Sequence, residues 1–296
     1  MSAIVAVRSV EFDTPDVERS VAFYERIWGM RVVAREPDAA FLRAGGADHY
    51  ALVLRSATTA GLARVGLTAR DTATVDQLYA CIPAAGGTVV GEPKRRTGPG
   101  GGYGFVFTDP EERQFEVAAG MDGHDDTTHP NDRPTKISHV VLNASDADRT
   151  TRFLRDALGF RLRDQTKMMD FLGCNADHHS IAVARIGNTS LNHVAFEVAD
   201  IDGVMRASGR LKQNGFAIEW GVGRHGPGSN VFSYFIDPNE LAIEYTAEIQ
   251  QVDDATYVVG TPETWARGSN LDAWGLAEPP SRRFDVATHF ADEVPT

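Results

Sequence analysis

The chain has 296 residues, 42% hydrophobic and 24% charged, a composition that excludes disorder as the default and leaves length for two domains with their own cores. A net charge of −12 lacks the basic footprint that phosphate backbones demand, so a nucleic-acid partner is excluded and small-molecule chemistry moves forward. The opening stretch, MSAIVAVRSVEF, has no cationic and apolar leader pattern, and no apolar run approaches the ~20 residues that cross a bilayer; a cytoplasmic protein without a membrane partner is expected. Cys81 and Cys174 cannot build a disulfide framework and have no zinc-type spacing, so both read as buried thiols.

In chain order, VEFDTPDVERSVAFYERIWGM from Val10 reads as a strand followed by a helix, and a glycine loop, RTGPGGG from Arg96, precedes the strand pair FVFTDPEERQFEV from Phe105. The polar stretch 120–135, rich in Asp and Pro, reads as a linker. Beyond it the pattern returns. VVLNASDADRTTRFLRDALGF from Val140 matches the first segment at Val10/Val140, Asp16/Asp146, Arg19/Arg149, Phe23/Phe153 and Gly29/Gly159, and RHGPGSN from Arg224 and YFIDPNELAIEY from Tyr234 match the later ones. ISHVVLN is a strand, Asp146 caps a helix that stops at Gly159, and RLRDQ and HSIAVARI are later strands. LNHVAFEVAD opens the fourth unit, with a helix ending on Gly215, then FAIEW, VFSYFIDP and LAIEYTAE as strands. The expected class is α+β: four βαβββ units paired into two domains, at 1–119 and 136–247, with a tail at 248–296.

Five of the nine histidines fall between Lys136 and Glu244. Strand alternation sets His139 opposite Val140 and Leu142, His193 opposite Val194 and Phe196, and Glu244 opposite Ile243 and Tyr245. Each is the polar position of an otherwise apolar strand. Two neutral imidazoles and one carboxylate form the facial set that binds iron(II) and leaves adjacent positions open for a catecholate and dioxygen. The internal repeat acts as a control: Ser9 stands where His139 does, Arg64 where His193 does, Thr97 where His225 does and Val106 where Tyr234 does, while only Glu116 matches Glu244. The first half therefore reads as a metal-free copy.

His179 opens a strand whose face, through Ile181 and Val183, is expected to line the cavity, where an imidazole of pKa ~6.5 can take a phenol proton. His178 is kept as its alternate. His225, in a glycine-rich loop, is expected to donate to a catecholate oxygen, and Tyr234 to hydrogen-bond to substrate. GRHGPGSN is no phosphate cradle, since it lacks the Lys-Ser/Thr ending and a following helix.

His139 in ISHVVL, His193 in LNHVAFEV and Glu244 in AIEY, with His179, GRHGPGSN and a YFxDP strand, resemble the type I extradiol dioxygenases of the vicinal oxygen chelate superfamily, whose domains share the glyoxalase and bleomycin-resistance fold. The resemblance extends to about Glu248. It implies iron(II), occasionally manganese(II), on His139, His193 and Glu244, an acid/base role for His179, substrate contacts from His225 and Tyr234, and a pocket lined by Val141 and Phe171. Two departures stand out: Asn239-Glu240 replaces the usual glycine turn after Asp237-Pro238, and the His179 to His193 spacing is one residue short.

The implied reaction adds both atoms of dioxygen across the ring bond beside the paired hydroxyls of a catechol or 2,3-dihydroxybiphenyl-like substrate. Rival expectations are a 4-hydroxyphenylpyruvate dioxygenase or glyoxalase-type metal enzyme, and a binding module for planar aromatics. The tail, with Trp265, Arg267 and Trp274, is either a lid, surface packing or a subunit contact, and a homo-oligomer is expected.

Overall fold

The computed structural model describes residues 2–266 and 271–289. Arg267 lies outside the described residues. Strands β1 (Ile4–Thr14), β2 (Arg31–Glu36), β3 (Ala39–Arg43), β4 (Leu52–Ser56), β5 (Gly61–Ala69), β6 (Thr88–Arg95), β7 (Tyr103–Thr108) and β8 (Gln114–Ala119) form one sheet, in the order β2-β3-β4-β1-β5-β8-β7-β6. The second sheet repeats that order as β10-β11-β12-β9-β13-β16-β15-β14. Its strands are β9 (Lys136–Asn143), β10 (Arg161–Gln165), β11 (Met169–Gly173), β12 (Ile181–Ala184), β13 (Ser190–Glu197), β14 (Trp220–Arg224), β15 (Val231–Ile236) and β16 (Ala242–Ala247). One helix follows the first strand of each unit: α1 (Val17–Phe23), α2 (Thr72–Cys81), α3 (Ala147–Asp156) and α4 (Ile201–Gln213). The α+β arrangement of four βαβββ units is thus realised.

Local chemistry explains the helix limits. Asp16, Asp71, Asp146 and Asp200 each accept a backbone N–H three residues ahead, satisfying one orphan donor of the first turn. Gly159 (φ 76°) and Gly215 (φ 85°) turn the chain out of α3 and α4 in the left-handed region that a side chain resists.

Three expectations need correction. FAIEW is not a strand: residues 216–218 are irregular and β14 begins only at Trp220, because the chain must first climb from the end of α4 to the sheet edge. Cys81 is exposed at the end of α2, although Cys174 is buried. The two halves also do not keep separate cores. One apolar cluster draws on both, with Phe107 against Phe153 (6.2 Å between ring centroids) and Trp28 stacked on Tyr245 (3.7 Å). Each sheet presents an apolar face to the helices, and the other half closes it. The opposite face of the second sheet carries His139, Val141 and Asn143 of β9.

Part of the described tail packs on the second half. Helix α5 (Arg282–Ala287) is capped by Ser281 and buries Phe284 against Tyr234, with ring centroids 4.9 Å apart.

Candidate metal centre

Strand pairing brings the three candidate ligands together. His139 on β9 faces Ala195 on β13, Ala195 in turn faces Glu244 on β16, and His193 lies two residues back on the same side of β13. His139 Nε2 lies 3.2 Å and His193 Nε2 3.3 Å from Glu244 Oε2. One ligand atom from each residue falls within 4.8 Å of the other two, and all three side chains are buried. His193 Nε2 and Glu244 Oε2 have no hydrogen-bond partner. Burying a carboxylate oxygen and an imidazole nitrogen unsatisfied is costly, and a shared cation is what such a donor set fits.

The surroundings orient the lone pairs inward. Asn192 Oδ1 can only accept, so it takes the Nδ1–H of His193 (2.7 Å) and leaves Nε2 unprotonated. Asn192 is fixed in turn by donating to Asn143 Oδ1 (2.9 Å) and to the Thr288 carbonyl beyond α5 (3.3 Å). His139 Nδ1 meets Ser138 Oγ at 3.2 Å. Burial pushes the Glu244 carboxyl up, but His139 and His193 more than reverse that and hold it well below the usual carboxylate range. The His193 imidazole is pushed down by burial, against the pull of Glu244.

His179 reaches this centre, its ring 4.3 Å from that of His139 and 5.1 Å from Phe171. Its expected route was wrong. Ile181 and Val183 belong to the main core, whereas Ala182 and Ala184 line the site face beside Val141, Met169 and Phe171. The chain bends at Ser180, whose hydroxyl turns to Cys174 Sγ (3.3 Å), so alternation counted along β12 does not carry back to His179. Burial, then the neighbouring imidazoles, push the His179 pKa well down. His178 points away from the centre, hydrogen-bonded to Asp164 Oδ2 and Tyr257 Oη at 3.0 Å each.

On the other flank His225 stacks on Phe232 (4.0 Å). Its Nδ1 lies 3.0 Å from the Leu271 carbonyl, which can only accept, so Nε2 of a neutral His225 accepts from the Tyr234 hydroxyl at 2.9 Å. Burial lowers the His225 pKa to about 4, keeping it neutral at pH ~7. Tyr234 is pushed well up by burial and by Glu244.

Sequence reasoning missed Asn192, Asn143 and Asp164. Asn192 lies on the far side of β13 by alternation and seemed outside the site; its signal was a buried-strand amide directly before a candidate ligand.

Among the described residues, the corresponding positions of the first half do not form such a group. Its register is the same, with Ser9 facing Gly66, Gly66 facing Glu116 and Val106 facing Glu116. Arg8 and Arg96 both pair with Glu116, so guanidinium groups take up its carboxylate oxygens. The residue in the place of His225 is Arg96, not Thr97: Arg96 N–H bonds to the Gly102 carbonyl as His225 N–H does to Asn230, and Thr97 is an inserted loop residue.

Residues 8–117 and 136–245 each match the family model described as the Glyoxalase/Bleomycin resistance protein/Dioxygenase superfamily. The chain belongs to that superfamily. Its structure resembles that of a Mn(II)-bound glyoxalase from Novosphingobium aromaticivorans at 35% identity, with a TM-score of 0.89 over 96% of this chain and 94% of that one. Metapyrocatechase from Geobacillus stearothermophilus is 25% identical over 94% of both chains. Metapyrocatechase 2 from Cupriavidus necator is 35% identical over 40% of this chain and 38% of its own length.

Proposed function

We propose that this superfamily member is an extradiol ring-cleavage dioxygenase that opens catechol-type substrates, with iron(II) held by His139, His193 and Glu244. The observation that carries the reading is the pair of unsatisfied buried lone-pair atoms, His193 Nε2 and Glu244 Oε2, next to His139 on one sheet face. His139, His193 and Glu244 would hold a divalent metal, which would supply the positive charge that acidifies the hydroxyls of a catechol.

The protein side chains do the rest. His179 accepts a phenol proton on the open flank and returns it as the ring opens. Tyr234, whose proton is directed to His225 Nε2, presents oxygen lone pairs to a substrate hydroxyl. Val141, Ala182, Phe171 and Met169 form an apolar wall that receives the ring and excludes water. The relatives named metapyrocatechase support the reaction class. The domains proposed to divide the labour are 1–119, without metal, and 136–247, catalytic, joined by 120–135.

The name of the Novosphingobium protein favours a second reading, a glyoxalase-type isomerase that takes manganese(II). One experiment separates them. The metal-free chain is loaded anaerobically with iron(II) or manganese(II), then given mono- and bicyclic catechols in air, or a hemithioacetal without oxygen. A yellow ring-opened product with oxygen uptake supports the dioxygenase; intact catechols and a turned-over hemithioacetal overturn it.

A further inference from the structure

Behind His179 lies a buried chain of hydrogen bonds that the metal centre does not require. His179 Nδ1 is 3.0 Å from His178 Nδ1, and His178 Nε2 is 3.0 Å from Asp164 Oδ2. All three side chains are buried, Asp164 and His178 almost completely. Asp164 Oδ1 also accepts from the Gly260 backbone N–H (2.7 Å) and the Tyr257 hydroxyl (3.1 Å). The segment after β16 thus supplies two donors whose only evident task is to fix this carboxylate.

We infer that Asp164 and His178 are positioning residues that set the tautomer of His179, so that its Nε2 carries the lone pair. For a neutral His178 the donor count leaves one assignment. An ionised Asp164 can only accept, so His178 Nε2 must carry a proton, which it shares between Asp164 Oδ2 and the Tyr257 oxygen. A neutral imidazole has one N–H, so His178 Nδ1 is an acceptor. His179 Nδ1 must then be the donor, and its second nitrogen is left unprotonated. A carboxylate that fixes an imidazole tautomer through a hydrogen bond is a known way of preparing a base. Here a second imidazole is interposed.

Packing around the contact points the same way. Gly228 adopts φ +77°, and a Cβ there would lie 3.1 Å from both Nδ1 atoms and 3.0 Å from His179 Cε1. The Gly228 carbonyl accepts from Gln250 N–H, and the Gln250 carbonyl accepts from His178 N–H, each at 2.8 Å. The backbone is thereby closed around the imidazole pair, with no room for another partner at Nδ1.

The inference deepens the proposed dioxygenase reading, in which His179 is the base, but its first test needs no turnover. In Asp164→Asn the amide oxygen can keep Tyr257 and Gly260 while the NH2 faces His178 Nε2. That reverses every donor along the chain and protonates His179 Nε2. Long-range proton–nitrogen correlation spectra of the full-length, metal-free protein are expected to show His179 as the Nδ1–H form in the wild type and the Nε2–H form in D164N. In the iron-loaded enzyme, D164N is expected to lose kcat on the order of 100-fold with KM and metal content unchanged. His178→Asn retains an acceptor near the old Nδ1 position and is expected to recover most of the rate that His178→Phe loses; that pair carries the test if D164N does not fold. An Nε2–H signal for wild-type His179, an unchanged tautomer in folded D164N, or equal losses in H178N and H178F would overturn the inference. A wild-type enzyme that opens no catechol would instead overturn the activity, leaving the tautomer result to stand by itself.

Discussion

Arg96 Nε lies 2.9 Å from Glu116 Oε1, at the place in the first half where the second half sets His225 beside Glu244. The carboxylate recurs in both halves, but here its neighbour is a guanidinium. With Arg8 on the other oxygen, the buried carboxylate is paired inside the protein by two guanidinium groups.

Glu116→Gln therefore leaves two buried guanidinium groups short of a partner. We expect a loss of about 3 kcal/mol in stability, measured by urea unfolding, because breaking one side of a buried pair costs more than the pair contributes. Metal content should stay at one ion per chain. A drop in metal content would mean that the first half takes part in binding.

Asn192→Ala removes the acceptor that holds the His193 Nδ1–H inward. Metal affinity is expected to fall about 10- to 100-fold in competition with a chelator, the usual cost of losing such a partner. Asn192→Asp, which keeps the acceptor, should fall less.

His179, His193 and His225 all have folded pKa values below the ordinary 6.5, chiefly through burial. Between that value and the folded one, which for His225 is about 4, the unfolded chain binds more protons than the folded chain. Stability is thus full above pH 6.5 and is lost as the pH falls through that window, by up to ~1.4 kcal/mol per pH unit for each group. The metal-free protein should melt at a lower temperature at pH 5 than at pH 7. A flat melting profile over that range would contradict the burial of these imidazoles.

Phe284 is buried on Tyr234 and Trp220 from the tail. Phe284→Ala should cost about 3 kcal/mol. Since Tyr234 then loses its backing, KM for a catechol should rise while metal content holds, measured by initial rates and metal analysis.

Glu240, at φ 62°, occupies a left-handed turn position that glycine adopts without steric cost. Glu240→Gly loses an exposed pair with Arg283 (2.8 Å) but relieves backbone strain. A net gain of about 0.5–1 kcal/mol is expected in thermal unfolding.

The ligand triad was legible because β9, β13 and β16 are regular where they carry it, and alternation then fixes which side chains share a face. His179 was found, but by a wrong route, since the chain bends at Ser180, before β12 begins, and apolar periodicity does not report that bend. Thr97 was matched to His225 because a one-residue insertion in a glycine-rich loop leaves no apolar pattern to align. Asp164 sits at the end of β10, and its partners come from Tyr257 and Gly260, some 93 to 96 positions away, a separation beyond any local pattern. The shared core escaped for the same reason: an apolar face says that it must be covered, not by what.

The stacking of Trp28 on Tyr245, beside the ligand Glu244, has a bearing on ancestry. A repeated half without the three candidate ligands would by itself be free to be deleted. Here deletion would strip the indole from behind the strand that carries Glu244, so the first half can drift in its chemistry but not in the surface it lends its twin.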